Sequence, residues 1–155
     1  MISSELHPVG TVKITITDGD GLLVKEITVQ NQVLKKGRAM LAALLGNQTD
    51  GSLGFISRML FGSGGTSGGT LKSISAERNG LFSQVFSKGV ISNIDPLDPT
   101  QVVFTAILGA GDANGTINEM ALQLGTGDLY SMATFGDINK TSQMQITFNW
   151  NISFV

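Results

Sequence analysis

The 155-residue chain contains no cysteine, one histidine, three prolines, one tryptophan and one tyrosine. Without cysteine there is no disulfide framework, no Cys-ligated zinc and no thiol nucleophile, a usage that suits assembly in a reducing compartment. The lone histidine, His7, lies ahead of the first strand signal, where nothing would hold an imidazole in the fixed geometry a Ser-His-Asp triad needs. Charge is scarce: Lys and Arg number ten, Asp and Glu twelve, together 14% of the chain. Binding to a nucleic-acid backbone requires a basic surface that displaces counterions, and the composition offers none. Long apolar runs are missing too; no stretch approaches the roughly 18 residues of a membrane span. The opening "MISSELHPVGTVKI" lacks the basic region and apolar run of a signal peptide. Neither nucleic acid nor membrane is therefore expected as a partner.

What is abundant is glycine, twenty residues, with many Ser, Thr and Asn between short apolar segments. A neutral polar surface suits packing against other subunits, because few charges have to be desolvated. The clearest segment is the last, "QMQITFNWNISFV", where Met144, Ile146, Phe148, Trp150, Ile152 and Phe154 alternate with polar residues. Successive side chains of a strand turn to opposite faces, so this strand has one dry face and belongs in a covered, central position.

Upstream, "TVKITIT" and "LLVKEITV" flank "DGDG" (18–21) and read as a hairpin. "QVLKKGRAMLAALLG" (32–46) has Val33, Leu34, Met40, Leu41, Leu44 and Leu45 at helical spacing, with Asn31 as the expected N-cap and Gly46–Asn47 as the stop. Lys35, Lys36 and Arg38 fall on the other side, as a solvated face or as a salt-bridge patch to a neighbouring subunit. "FISRMLF" (55–61) is a short buried strand, "GSGGTSGG" (62–69) a flexible surface loop, and 71–80 a helical turn or an irregular crossing. Strands "LFSQVFSKGVIS", "QVVFTAIL", "TINEMALQL" and "LYSMATF" follow, separated by turns at 95–99, 109–115, 125–128 and 136–142. The chain is expected to be mainly β: an antiparallel, jelly-roll-like β-sandwich with one amphipathic helix after the first hairpin. Residues 1–10 form an N-terminal arm and 11–155 a single domain.

Motifs for chemistry are thin. Outside the first hairpin turn, three G-x-G stretches, at Gly62, Gly109 and Gly125, meet Ser67, Asn114 and Tyr130 where a dinucleotide fingerprint wants glycine, and none leads into a helix. Asp18-Gly19-Asp20-Gly21 has Val29 at the position where a calcium loop needs its bidentate glutamate. Asp95 and Asp98 each precede proline and read as turn residues. Glu119 is the acid to watch, since it sits inside a strand with Asp112, Asp128 and Asp137 in neighbouring loops. A hydrolytic carboxylate pair is the sharp reading; a place on the strand's polar face, or local bonding to turn amides, is the plainer one. A sugar site would want exposed aromatic rings; Trp150 is on the apolar face, which leaves Tyr130. Asn47, Asn114, Asn139 and Asn151 open N-x-S/T triplets that carry no inference without secretion. No catalytic, cofactor-binding or metal-binding residue is assigned, and no cofactor is expected.

The order of these segments resembles small tailed-bacteriophage virion proteins of the tail, baseplate, neck or fibre-associated kind. The resemblance is carried by "NQVLKKGRAMLAALLG" (31–46), "ISRMLFGSGG" (56–65), "NGTINEMALQ" (114–123), "LYSMATF" (129–135) and "INKTSQMQITFNWNISF" (138–154). It implies a non-enzymatic β-sandwich that forms trimers or hexameric rings and docks onto other virion proteins after assembly in the host bacterial cytoplasm. The glycine loops 62–69 and 109–115 and the arm 1–10 would contact neighbours. A capsid decoration (cement) protein is the close alternative, and a carbohydrate-binding or receptor-binding module the more distant one.

Overall fold

The computed structural model describes residues 8–48 and 54–154. His7 and residues 1–7 of the expected arm lie outside them; Pro8, Val9 and Gly10 already belong to the first strand. Two five-stranded antiparallel sheets pack face to face. The first is ordered β2 (Leu23–Gln30), β1 (Pro8–Asp18), β12 (Met144–Phe154), β9 (Gln101–Leu108), β8 (Ile91–Asn93). The second runs β3 (Gln32–Val33), β11 (Leu129–Lys140), β10 (Gly115–Leu124), β4 (Ile56–Gly62), β7 (Gln84–Gly89). The chain is a β-sandwich, and its terminal strand is the middle strand of the first sheet. Ile146, Phe148, Trp150 and Ile152 are buried there, between Val12, Ile14 and Ile16 of β1 and Phe104, Ala106 and Leu108 of β9.

The second sheet is covered on both faces. Met59, Phe61, Ile117, Met120 and Leu122 face the main core. Leu60, Ala121, Leu129 and Met132 pack outward under Ile74, Leu81 and Phe82 of the segment 72–83, which crosses the sheet without regular structure. Burial on both faces explains why β10 and β11 show near-continuous apolar runs and little alternation. Two cations lie over the Phe82 ring, Arg78 3.7 Å and Lys72 4.7 Å from its centroid.

The helix starts later than its apolar spacing indicates. Gln32 and Val33 form β3, pairing with Met132 and Ser131, and α1 spans Lys35–Leu45. Asn31 does not cap it: Leu34 occupies the N-cap without a side-chain bond, and the Asn31 side-chain carboxamide is buried over Gly10 with no hydrogen-bond partner. The pairing wins because the Leu34 amide donates to the Tyr130 carbonyl, which fixes the entry to the helix. Gly46 and Asn47, the latter at φ 53°, end α1 as expected. Gly37 is the only helical residue fully buried; a β-carbon there would overlap the Tyr130 carbonyl and lie 2.8 Å from the Tyr130 Cα. Gly→Ala in a free helix gains about 1 kcal/mol. Here overpacking reverses the sign: Gly37→Ala should cost about 1–3 kcal/mol in a thermal melt, and a stabilised variant would contradict the docking.

Two further boundaries move. β11 continues through the expected turn at 136–142 to Lys140, and the chain turns only at 141–143. A bulge absorbs Gly136 and Asp137, since Ile117 faces Ile138 while Glu119 faces Thr134. The stretch 62–69 is not a flexible loop: Gly62 ends β4, and Thr66–Ser67 pairs with Thr70–Leu71 as a tight hairpin, β5 and β6. Only the hairpin's outer end, from Ser67 to Leu71, is exposed.

Candidate functional site

Glu119 is fully buried, and its carboxylate is occupied by backbone. The amides of Gly64 and Ser83 donate to Oε1 at 3.0 and 2.7 Å, and the amide of Phe82 donates to Oε2 at 2.8 Å. Beside it, Asn118 accepts from the Gly65 amide at 2.7 Å and donates to the Ser63 carbonyl, Thr66 Oγ1 and Asp137 Oδ1. Together the two side chains clamp the base of the glycine hairpin to the start of β7. The glycines are there for close approach: a β-carbon on Gly62 would meet the Glu119 carboxylate and lie 2.5 Å from the Ser83 carbonyl oxygen, and one on Gly65 would collide with the Asn118 carbonyl. Glu119 does bond backbone amides, but neither locally nor from a polar face: it is fully buried and its partners lie 36 to 55 residues away in sequence.

Each loop acid has its own partner. Asp112 bonds Lys88 and the Gly109 amide, and these hold its carboxyl below the usual carboxylate range, Lys88 contributing most. Asp128 pairs with Lys36 at 3.0 Å, and Asp137 accepts from Thr66 and Asn118. Lys140, 2% exposed, donates to Asn114 Oδ1 at 2.9 Å and to the Thr141 carbonyl; burial lowers its pKa, and the charge of Asp112 partly offsets that. The loop 109–115, expected to reach neighbours, is thus pinned at Asp112 and Asn114 to its own sandwich. Asp18 closes the first hairpin by accepting from the Asp20 and Leu22 amides; in the β8–β9 turn Asp95 accepts from the Leu97 amide and Asp98 from the Thr100 hydroxyl and the Gln101 side chain. Among the described residues no group of three or more His, Cys, Asp or Glu could hold a metal ion.

Of the helix cations, Lys35 and Lys36 pair within the chain, with Glu77 and Asp128. Tyr130, the ring a sugar site would need, is 3% exposed; its hydroxyl is buried without a hydrogen-bond partner, and burial pushes its pKa up to about 12. An open depression of about 530 Å³ lies beside Gln30, Asn31, Gln32, Lys72 and Thr134, and no carboxylate lines it.

The feature that composition did not reveal is an apolar groove of about 310 Å³ where α1 leaves the sandwich. Met40 and Leu41 of α1 line it together with Phe55, Ile94, Val102, Tyr130, Ile152 and Phe154. Phe55 and Ile94, which line it, are 54% and 55% exposed; elsewhere Leu45, Ile91 and Leu97 are exposed as well. A second exposed group stands at the first hairpin, where Leu22, Leu23 and Val24 are each 60% exposed or more. The signal in sequence was there to read, an apolar triplet directly after a turn and isoleucines beside the "DPLDP" turn, but periodicity does not distinguish an exposed strand end from a buried one. No family model matches the chain, and neither the curated proteins nor the solved structures compared with it gave a match.

Proposed function

We propose that this protein is a structural unit of a tailed-phage virion, of the tail, baseplate or neck, that works by self-association and docking. The observation that carries this reading is exposed apolar surface: Leu22, Leu23 and Val24 stand together at the first hairpin, Phe55 and Ile94 are exposed along the apolar groove, and contiguous exposed apolar groups mark interaction surfaces. The motif order supports the virion assignment, and the residues of those motifs act as fold-building parts. Glu119 and Asn118 of "NGTINEMALQ" grip the glycines of "ISRMLFGSGG", and Trp150 anchors the core. Purified protein at micromolar concentration should scatter light as more than one copy and should appear in a mass-spectrometric inventory of purified particles. A strict monomer that binds no other virion component would count decisively against the proposal.

A further inference from the structure

Lys140 is the one buried lysine among the described residues. Lys13, Lys35, Lys36 and Lys88 each keep a partly exposed head against a carboxylate. The Lys140 head instead donates to two neutral oxygens, Asn114 Oδ1 at 2.9 Å and the Thr141 carbonyl. A buried ammonium without a bonded counter-charge is costly, so burial favours the neutral amine. A neutral amine is a nucleophile, and what stands in front of it is the carbonyl of a carboxamide.

That carboxamide is held at both ends, because Asn114 Nδ2 donates to the Ala110 carbonyl at 3.0 Å while Oδ1 accepts from Lys140. Backbone register brings the two residues together: Gly115, next to Asn114, pairs with Lys140 across β10 and β11. The backbone on either side of Asn114 is left-handed, with Ala113 at φ 51° and Gly115 at φ 120°. An alanine rarely adopts that region, and such conformations persist where the surroundings over-determine them. A C=O bond is about 1.23 Å long, which puts the carboxamide carbon about 3–4 Å from Nζ. Reacting atoms aligned for attack stand roughly 3–3.5 Å apart. Asp112, ionised in its bond to Lys88, lies two residues before Asn114, and its charge acts on Lys140.

We propose that Lys140 and Asn114 join in an intramolecular isopeptide bond, a covalent staple across the open end of the β10–β11 hairpin. The Nζ lone pair attacks the Asn114 side-chain carbonyl carbon and forms the new C–N bond. One proton leaves Nζ, by way of the Asp112 carboxylate, for the amide nitrogen, whose bond to carbon breaks. Ammonia departs through the exposed side of Asn114, and nothing is oxidised or reduced. In a chain without cysteine the link does what a disulfide would do elsewhere, closing a loop that the unfolded chain would otherwise leave open.

Intact-mass spectrometry of the purified full chain tests the bond. The wild type should weigh less than its sequence by one ammonia, about 17 Da. After denaturation trypsin should fail to cut behind Lys140, and the chymotryptic fragments that carry Asn114 and Lys140 should remain joined. Asn114→Ala and Lys140→Arg should each show the full sequence mass and separate fragments. Asn114 is exposed, so its alanine variant keeps the test standing should the arginine disrupt the core. A wild type at full sequence mass, both fresh and after prolonged incubation, overturns the proposal. So does a loss of ammonia that survives in either variant, since a succinimide at an Asn-Gly bond gives the same mass without the lysine.

Discussion

Glu119→Gln should lower stability by about 3–5 kcal/mol, the range for breaking a buried, hydrogen-bonded charge network. For a chain of this length that corresponds to a fall in melting temperature of ~10 °C. The substitution keeps the side-chain volume, so no cavity is made. What changes is the donor count. Three backbone amides, those of Gly64, Phe82 and Ser83, converge on two carboxylate oxygens. A glutamine offers one oxygen and two N–H groups, so at least one amide faces another donor and loses its bond. Every donor is part of the fold's own backbone, and the loss loosens the base of the β5–β6 hairpin and the entry to β7 together. Urea titration measures the cost, and hydrogen exchange locates it: those three amides should lose protection ahead of the rest of the sheet. Glu77→Gln is the control, because Glu77 is exposed and its ion pair with Lys35 contributes about 0–1 kcal/mol at most. A loss below about 1 kcal/mol for Glu119→Gln would mean the clamp does not hold the hairpin.

The same residues show what the sequence could and could not convey. Elements whose logic is local were legible: the alternation of β12, the Asp-Gly turn after β1, the Gly46–Asn47 stop and the turns at 95–99 and 125–128. Where a long-range partner decided the outcome, local pattern misled. Helical spacing runs through Gln32 and Val33, yet Ser131 and Met132, far along the chain, capture them into a sheet. Gly136 and Asp137 have turn composition, and the opposing strand uses them as a bulge. The glycines at 62–65 have the same letters as a flexible linker, and their role is to let backbone and a carboxylate approach closely. Glu119 was recognisable as unusual from its place in an apolar strand. Its amide partners lie 36 to 55 residues away, which no local pattern encodes. The groove was least legible of all, because α1, β4, β8, β9, β10, β11 and β12 each contribute only one to three residues to it.

Trp150→Ala should be the most damaging truncation in the core, at about 3–5 kcal/mol. Marginal domains have about 5–15 kcal/mol in total, so a measurable unfolded fraction at growth temperature is expected. Trp150 is fully buried on the middle strand of its sheet, opposite Val12 on one side and Phe104 on the other, so the cavity opens where three strands meet. Trp150→Phe separates two contributions. It removes less volume, and it also removes an indole N–H that is buried without a partner and costs free energy in the wild type. We expect it to cost about 1–2 kcal/mol, well short of the alanine variant. Urea midpoints at constant m-value decide the order. Equal costs for the two variants would show that the phenylalanine ring gains nothing over an empty site. The pair also separates core from docking. Ile152 and Phe154, two and four residues further along β12, line the groove. Because the Phe variant keeps the strand in place, its copies should still associate at wild-type concentrations, whereas the Ala variant should lose association in proportion to its unfolded fraction. Association lost in the Phe variant while the fold persists would mean that association depends on the shape of the tryptophan and not merely on the strand that carries it.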